Sequence, residues 1–254
     1  MLGLIAYDEL QVFRDFVKEF DIRGKKILEI GGSIPEIELS TFELDKWVSV
    51  DPLNEEKRDL NNCYIYHKRD AIDIPYEADY FDFVFSSNAF EHIQKLDQVL
   101  EELYRVLKKG GIIYSHFGPI WSGPDGHHLE DVRLEHNILN FWENNSLPHY
   151  SHLVHTEEQL MNLLTDVYSI NDARSISQFV YHSPWLNRLT YNDYMRIFGN
   201  SRFIIRHLET TSEVDYPFQP PTYKRNTSSY YQDLIHQFPA EDFEVRDILV
   251  ILKK

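Results

Sequence analysis

The sequence predicts an α/β fold in which a mostly parallel sheet is covered by helices on both faces. Two observations predict it. Short apolar runs such as Lys26-Ile27-Leu28-Glu29-Ile30 and Phe81-Asp82-Phe83-Val84-Phe85 alternate with stretches of helical periodicity, a pattern that buries strands on both faces. Turn residues such as Gly31-Gly32 and Asp51-Pro52 close the runs. Right-handed crossovers then bring the turns after Ile30, Val50, Phe85 and Phe117 to one edge, where ligands of open sheets bind.

The elements follow in order. Residues 7–20 carry Leu10, Phe13, Phe16, Val17 and Phe20 at spacings of three and four, the mark of an amphipathic helix. Gly24 precedes the first strand, Trp47-Val48-Ser49-Val50 is the second, and Tyr64 to His67 is a weaker third. The fourth strand, Phe81 to Phe85, leads to a helix over Lys95 to Leu107. Lys108, Lys109, Gly110 and Gly111 stop that helix, with cations at its negative end and glycine beyond. Ile112 to Phe117 is the fifth strand.

The pattern then changes. Over 118–200, Pro, Gly, Trp, Asn and His dominate until Pro148. Thr156-Glu157-Glu158-Gln159 reads as a capping box opening a helix to about Leu164. Further helices are expected over Ser175 to Tyr181, from Thr190, and over Thr227 to His236. Strands are expected at Phe203 to His207 and Val245 to Leu252. The chain reads as a single domain over 1–254, with 118–200 inserted over the crevice.

Composition narrows the function. The 254 residues are 43% hydrophobic and 26% charged, enough for a sizeable core and against bulk disorder. There are 25 Lys and Arg against 41 Asp and Glu, a formal charge of -16, which repels phosphate backbones and argues against a nucleic-acid substrate. The one cysteine, Cys63, cannot form an intrachain disulfide. Neither a signal peptide nor a spanning segment of about 20 apolar residues is read in the sequence. A cytoplasmic protein without a membrane partner is the expectation, and a homo-oligomer stays open.

Five segments in matching order carry a resemblance. Ile27-Leu28-Glu29-Ile30-Gly31-Gly32-Ser33 is followed by Val50-Asp51, then Arg69-Asp70-Ala71 with Ile74-Pro75-Tyr76. Phe81-Asp82-Phe83-Val84 with Asn88-Ala89-Phe90-Glu91-His92-Ile93 comes next, and Leu103-Tyr104-Arg105-Val106-Leu107-Lys108-Lys109-Gly110-Gly111 is last. Over about residues 24 to 118 the chain resembles the class I S-adenosylmethionine-dependent methyltransferases, of the methyltransferase type 11 kind. The resemblance implies a Rossmann-like sheet of seven strands, the last antiparallel, with S-adenosylmethionine as cofactor and S-adenosylhomocysteine as product. One departure stands out: the family's first loop alternates glycines, whereas this chain reads Gly31-Gly32-Ser33-Ile34-Pro35.

The cofactor residues so implied are Glu29, Gly31, Gly32, Ser33, Asp51, Pro52, Asp70, Ala71, Ser87, Asn88, Phe90 and His92. Their chemistry agrees. Gly31 and Gly32 admit close backbone approach, and Ser33 to Ile37 open a helix whose amides suit a carboxylate. Asp51 suits both ribose hydroxyls, and Asp70 the adenine amino group. Ser87, Asn88 and Phe90 would line the methionine end. Each also has a plainer use as turn, cap or core residue. A nicotinamide-binding fold shares the acidic residue after the second strand, but the Glu91-His92 and Arg105 to Gly111 segments favour the methyltransferase.

Methyl transfer from a sulfonium is an in-line displacement, and a hydroxyl acceptor gains from a base. Seven of the 12 histidines lie between His116 and His155. The cluster Gly126-His127-His128-Leu129-Glu130-Asp131 makes His127, His128 and Asp131 catalytic candidates, with His92 after the fourth strand. His127, His128, Glu130 and Asp131 include ligand types for a divalent metal, but the spacing matches no zinc or calcium signature and no metal site is assigned.

The stretch Pro119 to Leu129, with His152-Leu153, is similar to bacterial methyltransferases linked to surface-polysaccharide synthesis. That implies a sugar hydroxyl acceptor, carried as a nucleotide-diphosphate sugar. Trp121 would stack on it and His152 would bind it, with Arg133, Arg174, Arg188 and Lys224-Arg225 available for phosphates. Methylation of nitrogen, carbon or a protein side chain, and a cofactor-binding protein without chemistry, are the alternatives.

Overall fold

The computed structural model describes residues 8–32, 34–59, 61, 63–143, 147–212, 222–227 and 229–254. Its elements begin with α1 (Glu9–Glu19), β1 (Lys26–Ile30), α2 (Glu36–Leu39), β2 (Lys46–Asp51), β3 (Lys57–Arg58), β4 (Tyr64–Lys68) and β5 (Phe81–Ser87). There follow α3 (Leu96–Val106), β6 (Leu107–Phe117), β7 (Val132–Arg133), β8 (Ile138–Leu139), α4 (Ser151–Val154) and α5 (Glu157–Leu164). The chain closes with α6 (Ile170–His182), α7 (Tyr191–Asn200), β9 (Ile204–Thr211), α8 (Tyr230–Gln237) and β10 (Asp247–Lys253). These fall into two units, one of Met1–Gly118, Tyr194–Thr210 and Asp247–Lys254, the other of Pro119–Asp193 and Thr211–Arg246.

The first unit holds the sheet. Among the described residues it has eight strands, in the order β3-β4-β2-β1-β5-β6-β10-β9. Strands β4, β2, β1, β5 and β6 are mutually parallel, and β10 runs antiparallel to β6. The α/β class with a mostly parallel sheet is therefore as expected. The strand beyond the expected seven is β3, two exposed residues antiparallel to β4.

Aromatic packing sets α1 on one face. Asp8 caps it, accepting from the Gln11 amide. Phe13 packs edge-on against Trp47 and Phe85; the Phe16 ring meets Phe83, Phe85 and Tyr114, and the Phe20 ring meets Phe83 and Tyr114. This order runs α1 antiparallel to β5, so its N-terminal end lies toward the strands' carboxyl ends. Leu28, Val84 and Ile113, also fully buried, alternate with that set and point to the opposite face. The stripe of α3, Leu96, Val99, Leu100, Leu103 and Val106, is buried throughout.

Some boundaries differ from the sequence reading. Lys108 to Gly111 do not lie beyond a helix as a loop; they are already in β6. Lys108 pairs with Asp82 at 2.9 Å, and the Gly110 amide donates to the Lys254 carbonyl at 3.0 Å. Long-range partners thus override a local stop signal. Helix α6 begins at Ile170, five residues before the expected start, because Ser169 caps it through the Asp172 amide. Strand β9 runs four residues past His207, and the helix expected from Thr227 begins at Tyr230.

The second unit has its own apolar cluster, in which Leu129, Val132, Leu139, Leu147, Leu160, Leu163, Leu164, Ala173, Ile176 and Val180 are buried together. The capping box at Thr156 and Gln159 is present in both directions. This unit runs Pro119–Asp193 and takes in Thr211–Arg246 as well, so its bounds are not those of the 118–200 segment read from the sequence.

Phe16→Ala removes a fully buried ring from α1's aromatic contacts. It is expected to lower unfolding free energy by about 3–5 kcal/mol in urea titration, against less than about 0.5 kcal/mol for the exposed Ile37→Ala.

Candidate active site

In the first unit, parallel pairing brings the ends of β1, β2, β4, β5 and β6 to one edge. Gly31 leaves β1 with φ +74°, and a Cβ there would collide with the Ala89 side chain. A Cβ on Gly32 would collide with the Ser49 side chain and lie 3.0 Å from Glu29 Oε2. Both positions therefore exclude side chains and leave bare backbone at the edge. The missing alternate glycines do not prevent this cradle. Ser33 lies outside the described residues.

Glu29 holds the loop. Its carboxylate is buried and accepts from the Trp47 indole N–H at 2.7 Å and the Ile34 amide at 3.2 Å. Expected as a cofactor residue, it is placed by the structure as a tie between β1, β2 and the segment entering α2.

Two matching turns follow β2 and β4. Asp51 Oδ1 accepts from the Leu53 amide at 2.6 Å, and Asp70 Oδ1 from the Ile72 amide at 3.1 Å. Asp51 Oδ2 lies 3.9 Å from where a Gly31 Cβ would be. Asp70 and Pro52 are exposed, and Ala71 is buried. Each turn leaves an aliphatic side chain in solvent: Leu53 is 68% exposed and Ile72 39%. The sequence reading passed over both. The signal was the repeated Asp-x-aliphatic after neighbouring strands.

At the end of β5, Ser87 Oγ and, just beyond it, Asn88 Oδ1 are buried without a hydrogen-bond partner. Asn88 has φ +47° and donates its amide to the His116 carbonyl at 3.0 Å. Unmet buried acceptors of this kind fit a polar ligand. Phe90 instead is fully buried, its ring 5.5 Å from Phe117, so it is core and does not line the edge. His92 is half-buried, its amide bonded to the Ala89 carbonyl at 2.9 Å.

The second unit gathers buried histidines. His127 Nδ1 accepts from the Leu129 amide at 3.3 Å, which leaves the proton of the neutral ring on Nε2. His152 Nε2 lies 2.8 Å from the Trp121 carbonyl, a pure acceptor, so Nε2 carries that ring's proton. His152 Nδ1 is then a lone pair, buried and without a hydrogen-bond partner. The two rings are 5.7 Å apart and nearly perpendicular, and Trp121 meets His152 edge-on at 4.7 Å. Burial, then the neighbouring His127, lowers the His152 pKa from 6.5 to about 3. His128 has φ +49°, packs on Phe141 at 4.7 Å and places Nε2 4.0 Å from Glu130. A buried pair, Asp125 Oδ2 to Arg246 Nε at 3.2 Å, braces the same loop.

Other expected residues stand apart. Asp131 is exposed, its amide tied to Asn140 Oδ1 at 2.8 Å, and is not brought among the buried imidazoles. With Glu130 also exposed, the four metal-type residues do not converge. Arg133, Arg174, Lys224 and Arg225 are exposed. Arg188 alone of the expected basic residues meets Trp121, its guanidinium 5.5 Å from the ring, while it donates to the Val180, Ser183 and Leu186 carbonyls.

Residues 40–115 match the methyltransferase domain model. The chain is 22% identical over 186 residues to the ubiquinone/menaquinone biosynthesis C-methyltransferase UbiE of Rhizobium etli, covering 67% of this chain and 68% of that protein. It is 28% identical over 100 residues to the sterol 24-C-methyltransferase of Schizosaccharomyces pombe, covering 35% of this chain and 26% of that one. A structure described as an S-adenosylmethionine-dependent methyltransferase from Listeria monocytogenes superposes with TM-score 0.53 at 14% identity, over 97% of this chain and 99% of that one. The solved-structure likeness shows the shared fold; the matched domain and the methyltransferase-named relatives mark the chain as an enzyme, a methyltransferase that uses S-adenosylmethionine and releases S-adenosylhomocysteine. No helix among the described residues is long and apolar enough to cross a membrane.

Asp51→Ala is expected to weaken S-adenosylhomocysteine binding about tenfold in calorimetry, by loss of a charged acceptor. Unchanged affinity would move the ribose elsewhere. A second expectation concerns pH. Between about 6.5 and 3 the unfolded chain's histidine takes a proton that buried His152 refuses, so its stabilising effect, full above that window, is lost as pH falls. His155, lowered by burial, adds the same sign. His152→Gln should flatten the fall in melting temperature on acidification; an identical slope would show that His152 is not its source.

Proposed function

We propose that this methyltransferase O-methylates a hydroxyl of a small polar acceptor, a sugar or nucleotide-diphosphate sugar, which residues of the second unit recognise. The observation that carries this reading is the pair of buried, neutral imidazoles of fixed tautomer beside Trp121. His152 offers a buried lone pair at Nδ1, the complement of a hydroxyl's O–H. An acidic protein that binds an anionic sugar nucleotide needs local cations, and Arg188 lies against Trp121.

The cofactor supplies an electrophilic methyl group and leaves as a neutral thioether. Toward it, the backbone of Gly31 and Gly32 admits close approach, Asp51 accepts from the ribose hydroxyls, and Leu53 and Ile72 offer aliphatic contacts for the adenine faces. Ser87 and Asn88 present acceptors to the methionine end. On the acceptor side, His152 orients the hydroxyl but is too weak a base to hold its proton near neutrality. For the transfer the hydroxyl's one O–H turns from His152 to His128, which takes the proton as the oxygen–carbon bond forms, and Glu130, 4.0 Å away, favours the resulting imidazolium. His92 is the other candidate base.

A second reading rests on the relatives, which are named as C-methyltransferases of a quinone and a sterol. Methyl-labelled cofactor offered with a panel of nucleotide sugars and, separately, a demethylated quinol separates the two. Label on sugars supports the first; label on the quinol alone overturns it. His127→Ala with His128→Ala should lower sugar-dependent turnover at least about 100-fold, with S-adenosylhomocysteine affinity changed less than about twofold. Turnover that survives would make the cluster structural.

A further inference from the structure

One side chain ties together the two turns that end β2 and β4. His67, on β4, is buried. Its Nδ1 lies 3.3 Å from Glu56 Oε2, and its Nε2 3.3 Å from the Tyr76 hydroxyl. A carboxylate only accepts, so the neutral ring carries its proton on Nδ1 and takes the Tyr76 O–H at Nε2. The other oxygen of Glu56 accepts from the Lys68 amide at 2.9 Å, and that amide with His67 holds the Glu56 carboxyl below its ordinary range.

The two ends of this chain differ in anchorage. Tyr76 is fixed: Arg105 of α3 donates to the Tyr76 carbonyl at 2.7 Å and the Ile74 carbonyl at 3.0 Å, and Glu102 accepts from the Ile74 amide at 2.9 Å. Glu56 is exposed and sits in the loop that leaves Asp51. That loop is held again by Asn54, whose amide nitrogen donates to Ser49 Oγ at 2.9 Å and lies 3.4 Å from the His67 carbonyl. The segment Ile74–Tyr76 closes the loop that carries Asp70 and Ile72. A rigid point on α3 is therefore connected, through one imidazole, to both nucleoside-side turns.

We propose that the Glu56–His67–Tyr76 relay is a latch that positions the Asp51–Leu53 and Asp70–Ile72 turns for the nucleoside half of the cofactor. It rests on the reading of Asp51 as the ribose acceptor. His67 is a positioning residue, since it reaches the cofactor only through the loops it orders. Pre-ordering a binding loop raises affinity by sparing the ligand the cost of ordering it.

The test is calorimetric titration of the full chain with S-adenosylhomocysteine and with 5′-methylthioadenosine, which lacks the amino-acid end. His67→Ala should weaken both by the same factor, about fivefold to tenfold. His67→Asn, which keeps an N–H near Nδ1, should recover part of the Glu56 contact and of the affinity. Glu56→Ala combined with His67→Ala should cost less than the sum of the two, as for one shared connection. A lowered melting temperature with both affinities unchanged overturns the latch and leaves a structural network. So does a loss confined to S-adenosylhomocysteine. Asp51→Ala run alongside separates the premises: if it loses affinity and His67→Ala does not, the latch alone fails. If the native chain binds neither ligand, both fail.

Discussion

The burial of Glu29 is the constraint on which the edge at the ends of β1 and β2 depends. A carboxylate taken out of water must be met by donors, and here the donors come from the Trp47 indole and the Ile34 amide. Meeting that demand fixes three things together: the end of β1, the face of β2 that carries Trp47, and the path into α2. The chain between them has little room, which is why Gly31 and Gly32 are hemmed in by Ala89 and Ser49. The same indole belongs to the aromatic layer under α1, so this edge of the sheet and the hydrophobic core share a member.

The first unit was largely legible in the sequence because its signals are local. Apolar runs marked the strands, the spacing of Leu10, Phe13, Phe16, Val17 and Phe20 marked the first helix, and the turn residues after Ile30 and Val50 fell at one edge. Non-local terms were hidden. Nothing near Lys108 announces Asp82, and no periodicity announces that Lys254 answers Gly110. The edge residues were read by type and not by environment. Phe90 looks like a ligand contact in a motif and proves to be packed against Phe117. Leu53 and Ile72 look like ordinary loop residues until both are seen exposed beside matching aspartate turns.

The second unit was harder to read. Its histidines are ambiguous in sequence, since imidazole serves as core, cap, ligand or base. Geometry separates them. His127 and His152 have tautomers set by the Leu129 amide and the Trp121 carbonyl, whereas His149 is exposed and His155 is taken up by Tyr230 at 2.8 Å. Asp131 sits next to this cluster in sequence but faces solvent. Adjacency along the chain is a poor guide where positive φ values, as at His128 and Asp131, turn successive side chains in different directions.

The place of β10 in the sheet has a consequence for biosynthesis. It is inserted between β6 and β9, and its residues pair with a strand that ends some 130 positions earlier. A nascent chain emerging from the ribosome can assemble β1, β2, β4, β5 and β6 early, but β6 then waits with an unsatisfied rim. Exposed strand rims recruit other chains, and such distant pairings form slowly. The interval before β10 arrives is thus when the growing sheet is most open to pairing with other chains, and a net charge of -16 keeps such intermediates apart.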